Sequence, residues 1–129
     1  MYKLLEIKQY VMTRDLIFLN EDTNSIELCF DYLFWDSYEV EIGMYYDCKI
    51  LLFGDLRTDK NQKITKGTDE VACKIIGKER LSEINCYKVE VNKDIYYVAE
   101  SDLKELKNEF NYLFTRKDLI YIHECDEEK

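Results

Sequence analysis

The sequence predicts a mostly-β or α+β fold: a small antiparallel sheet or partly open barrel, OB-like or SH3-like, with one late amphipathic helix at about 102–114. Three observations predict it. Short apolar runs of period two recur along the 129 residues, each closed by a cluster of Asn, Asp, Ser or Gly. A single segment carries apolar residues at spacings of three and four. The strand-like runs follow one another before that segment and do not alternate with helices, which disfavours a βα repeat. The length fits one domain, 1–129.

Residues 2–12 read as a strand, with Leu5, Ile7 and Val11 on one face and Glu6, Lys8 and Tyr10 on the other. Leu16 to Leu19 is a short apolar strand. Asn20-Glu21-Asp22-Thr23-Asn24-Ser25 is a turn cluster, and Ile26 onward returns antiparallel. Over 27–34 the period of two sets Leu28, Phe30, Tyr32 and Phe34 inward and Glu27, Cys29, Asp31 and Leu33 outward. Trp35-Asp36-Ser37 bends the chain into a strand at 38–42, and Gly43 marks a tight turn. The run 44–53 places Tyr46, Cys48, Ile50 and Leu52 on one face, with Tyr45, Leu51 and Phe53 making the other partly apolar. This strand should be covered on both sides.

Residues 54–69 form the longest loop, in which Arg57, Lys60, Lys63 and Lys66 gather. Strands at 71–76 and 84–92 follow, and Asn92-Lys93-Asp94 closes a hairpin onto Ile95 to Ala99. The triplet Cys48-Lys49-Ile50 recurs as Cys73-Lys74-Ile75 with unmatched flanks, too little to establish a duplication. Asp102 with Glu105 resembles a capping box. Leu103, Leu106, Phe110 and Leu113 then line one helical stripe. Leu119 to His123 reads as a closing strand.

Charge is the most distinctive property. The net charge is −9, and residues 15–48 hold nine acids (Asp15, Glu21, Asp22, Glu27, Asp31, Asp36, Glu39, Glu41 and Asp47) without one Lys or Arg. The remainder is balanced, 18 acids against 18 bases. Phe30, Tyr32, Phe34, Trp35, Tyr38, Tyr45 and Tyr46 alternate with those carboxylates. Acids on the outer face of a half-buried sheet are an ordinary solubility device, but mixed signs are the usual pattern. Unpaired carboxylates so close together repel one another unless a cationic partner relieves them.

Several chemistries lack their residues. One histidine, His123, stands beside Glu124 and near Cys125, at a strand end that is a poor scaffold for a preorganised site. The five cysteines form no Cys-x-x-Cys pair, so they read as buried thiols of a reducing compartment, with no metal site. The four glycines fit no phosphate-binding loop. Aromatics bordered by carboxylates disfavour nucleic acid. No apolar run approaches the ~18 residues of a membrane span, and Glu6 comes too early for a signal peptide. A cytoplasmic location without membrane association is therefore expected.

The expected function is a non-enzymatic binding or inhibitor-type protein, immunity-like in composition, that docks a basic protein partner through an acidic–aromatic face. Its site residues are Asp31, Trp35, Asp36, Tyr38, Glu39 and Glu41, with Trp35 and Tyr38 as anchors and the acids as steering groups. No catalytic residue, metal ligand or cofactor is assigned. Two alternatives stay open. One is a small barrel whose Tyr46, Tyr87, Tyr96 and Tyr97 line a small-molecule pocket, with or without catalysis. The other is a self-associating subunit.

Overall fold

The computed structural model describes residues 1–33, 38–57, 63–81, 83–102 and 107–125. They are nearly all strand: β1 (Tyr2–Gln9), β2 (Arg14–Asn20), β3 (Ser25–Asp31), β4 (Tyr45–Leu56), β5 (Asp69–Leu81), β6 (Ile84–Val91), β7 (Asp94–Ala99) and β8 (Glu109–Glu124). A single 3-10 turn at Glu100–Asp102 is the helical element among the described residues. The mostly-β expectation holds.

The late helix needs correction. Residues 103–106 lie outside the described residues, but 109–114 are strand, paired antiparallel with β5 from Asp69↔Phe114 to Lys74↔Glu109. Tyr112, Leu113 and Phe114 are buried in succession. A strand covered on both faces achieves that, whereas one helical stripe through Phe110 and Leu113 would leave Tyr112 on the opposite side, in water. The segment 38–42 is corrected too: it is irregular, and Gly43 turns the chain at φ +93°.

The chain forms two compact units, Met1–Ile50 with Lys117–Lys129, and Leu51–Arg116. In unit 1, β1, β2 and β3 make an antiparallel meander. β1 also pairs antiparallel with the start of β4, and β3 pairs parallel with β8. The Cys125 N–H donates to the Tyr45 carbonyl, which returns the end of the chain to β4. Leu4, Leu16, Phe18, Cys29, Tyr46, Cys48 and Ile50 fill the interior, with Phe18 edge-on to both Tyr2 and Tyr46.

Unit 2 has the same pattern. β5, β6 and β7 form the meander, β5 pairs antiparallel with β8, and β7 pairs parallel with β4. The match extends to register. Adding 71 to both numbers turns Leu4↔Phe18 into Ile75↔Val89, Glu6↔Ile17 into Gly77↔Lys88, and Gln9↔Arg14 into Arg80↔Asn85. The bulges at Leu5 and Ile76 coincide as well. Leu4 N–H donates to Met44 O, and Ile75 N–H to Asn108 O. The recurring Cys-Lys-Ile triplet does not mark this repeat, since one copy lies in β4 and the other in β5. The equivalent segments are instead Lys3-Leu4-Leu5 and Lys74-Ile75-Ile76.

Within unit 2, β4 and β8 approach closely at Gly54. A Cβ there would overlap the Leu113 carbonyl oxygen and lie 2.6 Å from Phe114 Cα. Both obstacles are backbone, so the strand itself would have to move. Gly54→Ala should lower stability by roughly 1–3 kcal/mol, the usual cost of overpacking. Gly77→Ala, whose Cβ would meet only Lys88 Cβ at 3.9 Å, should leave the urea midpoint nearly unchanged. Equal midpoints for the two variants would contradict this packing.

Candidate functional site

The polar residues of unit 1 are organised by β2. Leu16 and Phe18 are fully buried, and the register Leu16↔Cys29 and Phe18↔Glu27 fixes which side of β3 faces inward. Asn20 sets that register at the turn. Its side-chain oxygen accepts the Asp22 N–H at 3.0 Å, and its carbonyl accepts the Asn24 N–H at 2.7 Å. Asn24 adopts φ +63° there, a conformation asparagine tolerates.

β3 is consequently turned over relative to the sequence expectation. Its period of two is as expected, but Glu27, Cys29 and Asp31 are buried, while Ile26, Leu28 and Tyr32 are 59%, 51% and 50% exposed. A buried carboxylate is tolerable only when paired. Glu27 accepts a hydrogen bond from Lys117 Nζ of β8, and Asp31 accepts one from Arg14 Nε of β2 at 2.7 Å. Both bases lie outside the base-free stretch 15–48. Asp31 also accepts the Tyr38 hydroxyl at 2.5 Å and the Leu33 N–H at 3.1 Å, and Arg14 stacks over the Tyr38 ring at 5.3 Å. Burial, reinforced by the bond to Asp31, pushes the Tyr38 phenol above its ordinary range and keeps it a donor. Burial opposes the charge of Arg14, but Asp31 and Tyr38 outweigh it and the net shift is upward.

The six expected site residues thus separate. Asp31 and Tyr38 come together inside this network, with Asp31 almost inaccessible. Glu39 and Glu41 are exposed, and among the described residues no ion pair engages either; the Glu41 backbone N–H donates to the Tyr46 hydroxyl at 2.9 Å. Trp35 and Asp36 lie outside the described residues. Sequence reasoning missed the inward carboxylates' partners, Arg14 and Lys117. It also missed the outward row Ile26, Leu28 and Tyr32. Arg14, one position before the acidic stretch, was the available hint for the first.

Charge divides between the units without remainder. Unit 1 holds 15 acids against six bases, the whole net charge of −9, whereas unit 2 holds 12 of each. Among the described residues, the buried polar and charged side chains, Asn20, Glu27, Asp31 and Asp118, likewise all lie in unit 1. With Asn20↔Ser25 matched to Val91↔Asp94, the counterparts of Asn20, Glu27 and Cys29 in unit 2 are Val91, Tyr96 and Val98, a conventional apolar interior. Leu28 corresponds to Tyr97, which is buried. One framework is therefore ordinary in unit 2 and inverted along β3 in unit 1.

Other candidate chemistry is weaker. Burial raises the thiols of Cys29, Cys48, Cys73 and Cys86, the last two to about 12 and about 11, so all four stay protonated near neutrality. His123 is exposed near the end of β8. Tyr46, Tyr87, Tyr96 and Tyr97 are each buried by more than nine-tenths. Two open clefts in unit 2, of about 410 and 510 Å³, are lined by other residues, among them Lys78, Arg80 and Glu100 in one and Lys74, Glu90 and Phe110 in the other. No family model, curated protein or solved structure matches the chain.

The Glu27–Lys117 pair can be tested by a double-mutant cycle. Lys117→Met strands a buried carboxylate and should cost on the order of 3 kcal/mol, moderated by the partial exposure of Lys117. Glu27→Leu combined with Lys117→Met should recover most of that loss in urea unfolding. Strictly additive losses would show that the two groups do not compensate each other.

Proposed function

We propose that this protein is a non-enzymatic binding protein whose unit 1 docks a basic protein partner. The observation that carries the reading is the coincidence, on one unit, of the entire net charge and an apolar strand face open to water. Neither alone is unusual, because solvated acids and scattered exposed apolar residues occur on most surfaces. Together they supply the two ingredients of a docking surface: a long-range field that steers encounter, and apolar area that is removed from water on contact.

The roles of the residues follow from their placement. Glu39 and Glu41, exposed and without ion pairs among the described residues, set the association rate and its salt dependence. Trp35 and Asp36 belong to the same acidic–aromatic stretch and are assigned to the same contact. Tyr38 and Asp31 serve it indirectly, by fastening Tyr38, the neighbour of Glu39, to β2 and β3. Two features favour a binding role over catalysis: the four buried thiols are held protonated, and the buried carboxylates of β3, Glu27 and Asp31, are paired with Lys117 and Arg14.

The reading is tested by capture from native lysate at roughly 0.05 and 0.5 M salt, which changes the screening length severalfold, with the protein and its Glu39→Lys/Glu41→Lys variant. A basic partner should be held at low salt, released at high salt, and lost by the variant. Capture that ignores both salt and charge reversal would reject electrostatic docking.

A further inference from the structure

The outward row of β3 runs toward a second unusual feature. Phe30 is registered against Asp15, so the row Ile26, Leu28, Phe30, Tyr32 leads to the base of the β1–β2 turn. That turn, Tyr10-Val11-Met12-Thr13, exposes Val11 by 95%, Met12 by 59% and Tyr10 by 51%. Such a tip would ordinarily be polar. In unit 2, between the matching pair Arg80↔Asn85, Glu83 stands where this turn carries Met12. Leu81, the counterpart of Tyr10, is buried. Two hairpins with the same register and the same bulge therefore differ where unit 1 meets water.

The apolar tip is also held in place. Tyr10 N–H donates to the Thr13 carbonyl at 2.8 Å and closes the turn. The Gln9 side-chain amide donates to the Tyr10 and Thr13 carbonyls at 2.9 and 3.2 Å, and the Tyr10 hydroxyl donates to Asp15 at 3.4 Å. A turn fixed in this way loses little conformational freedom on binding, which is the economy of a preorganised anchor.

We propose that Val11 and Met12 are the anchor of the docking surface, entering an apolar pocket on a basic protein while the outer row of β3 packs beside that pocket. The inference rests on the basic-partner reading above and adds to it the contact that holds the complex. Charge decides the occupant. A second copy of this chain would bring another unit of −9 against this one, and an anionic lipid surface would be repelled. A protein whose pocket is rimmed with Lys and Arg satisfies both the tip and the field around it.

The test places a benzophenone amino acid at position 11, and in a control at position 83, in the full chain expressed in its native cells. After irradiation, the adduct is identified, and the captured protein is purified and titrated against the unmodified chain, Val11→Asp/Met12→Ser, and Glu39→Lys/Glu41→Lys. One basic protein should crosslink from position 11 and not from position 83. The tip variant should weaken its binding by on the order of tenfold or more, chiefly through faster dissociation. Charge reversal should instead slow association, and the tip variant's urea midpoint should match that of the unmodified chain. A basic partner that binds the tip variant with unchanged affinity overturns the anchor and leaves the basic-partner reading standing. A neutral or acidic partner lost by the tip variant overturns that reading and this proposal together. Adducts formed only with a second copy or with lipid, or none from position 11, overturn the anchor.

Discussion

Two buried carboxylates, Glu27 and Asp31, constrain unit 1 more than any other pair of side chains. They share one face of a seven-residue strand, and a strand offers only two faces. Once Lys117 and Arg14 accept them inside, Ile26, Leu28 and Tyr32 must point to water. A slip of one residue would bury the apolar row and expose the acids, so the choice is between two complete strand faces. Against isosteric apolar residues, the ion pairs themselves need not add net stability. Their consequence is orientation. They make the inverted facing tolerable, and the register against Leu16 and Phe18 makes it obligatory.

The repeated meander shows that this facing is a property of unit 1 and not of the framework. β7 occupies the position of β3 in unit 2, with the same neighbours in the same directions, yet buries Tyr96, Tyr97 and Val98 in succession. The two turns diverge in the same sense, with Met12 in one where Glu83 stands in the other. Both departures, together with the whole of the net charge, fall on the same unit. A scaffold used twice with one copy altered at its surface is economically explained if that copy makes the contacts.

Much of the fold was legible in the sequence because strands announce themselves by period and turns by composition. The 20–25 turn, the 92–94 hairpin, the inward set Tyr46, Cys48, Ile50 and Leu52, and the burial of Cys48, Cys73 and Cys86 all follow from local pattern. What the period does not supply is the sign of a face. β2 reads Leu16-Ile17-Phe18-Leu19, apolar throughout, so it could not tell its partner β3 which side was inside; only pairing with β1 and β8 decided that. The late helix failed for a related reason. Leu103, Leu106, Phe110 and Leu113 fit a helical stripe, and Tyr112, buried as well, has no place on it and is satisfied by a strand covered on both faces. The candidate site was legible as a region and not as a geometry. Glu39 and Glu41 are exposed, whereas Asp31 belongs to an internal network whose base, Arg14, sits just beyond the acidic stretch.

The orientation of β3 can be measured directly by thiol labelling of the native protein. With the natural Cys29 kept, and separately with Leu28→Cys introduced into a Cys29→Ser background, a water-soluble maleimide reports which positions face solvent. Position 28 should label at the rate of an exposed thiol, and Cys29 should label only once the protein is unfolded. Rapid labelling of Cys29 with protection at position 28 would show that the carboxylates face outward, and the account of unit 1 would be wrong.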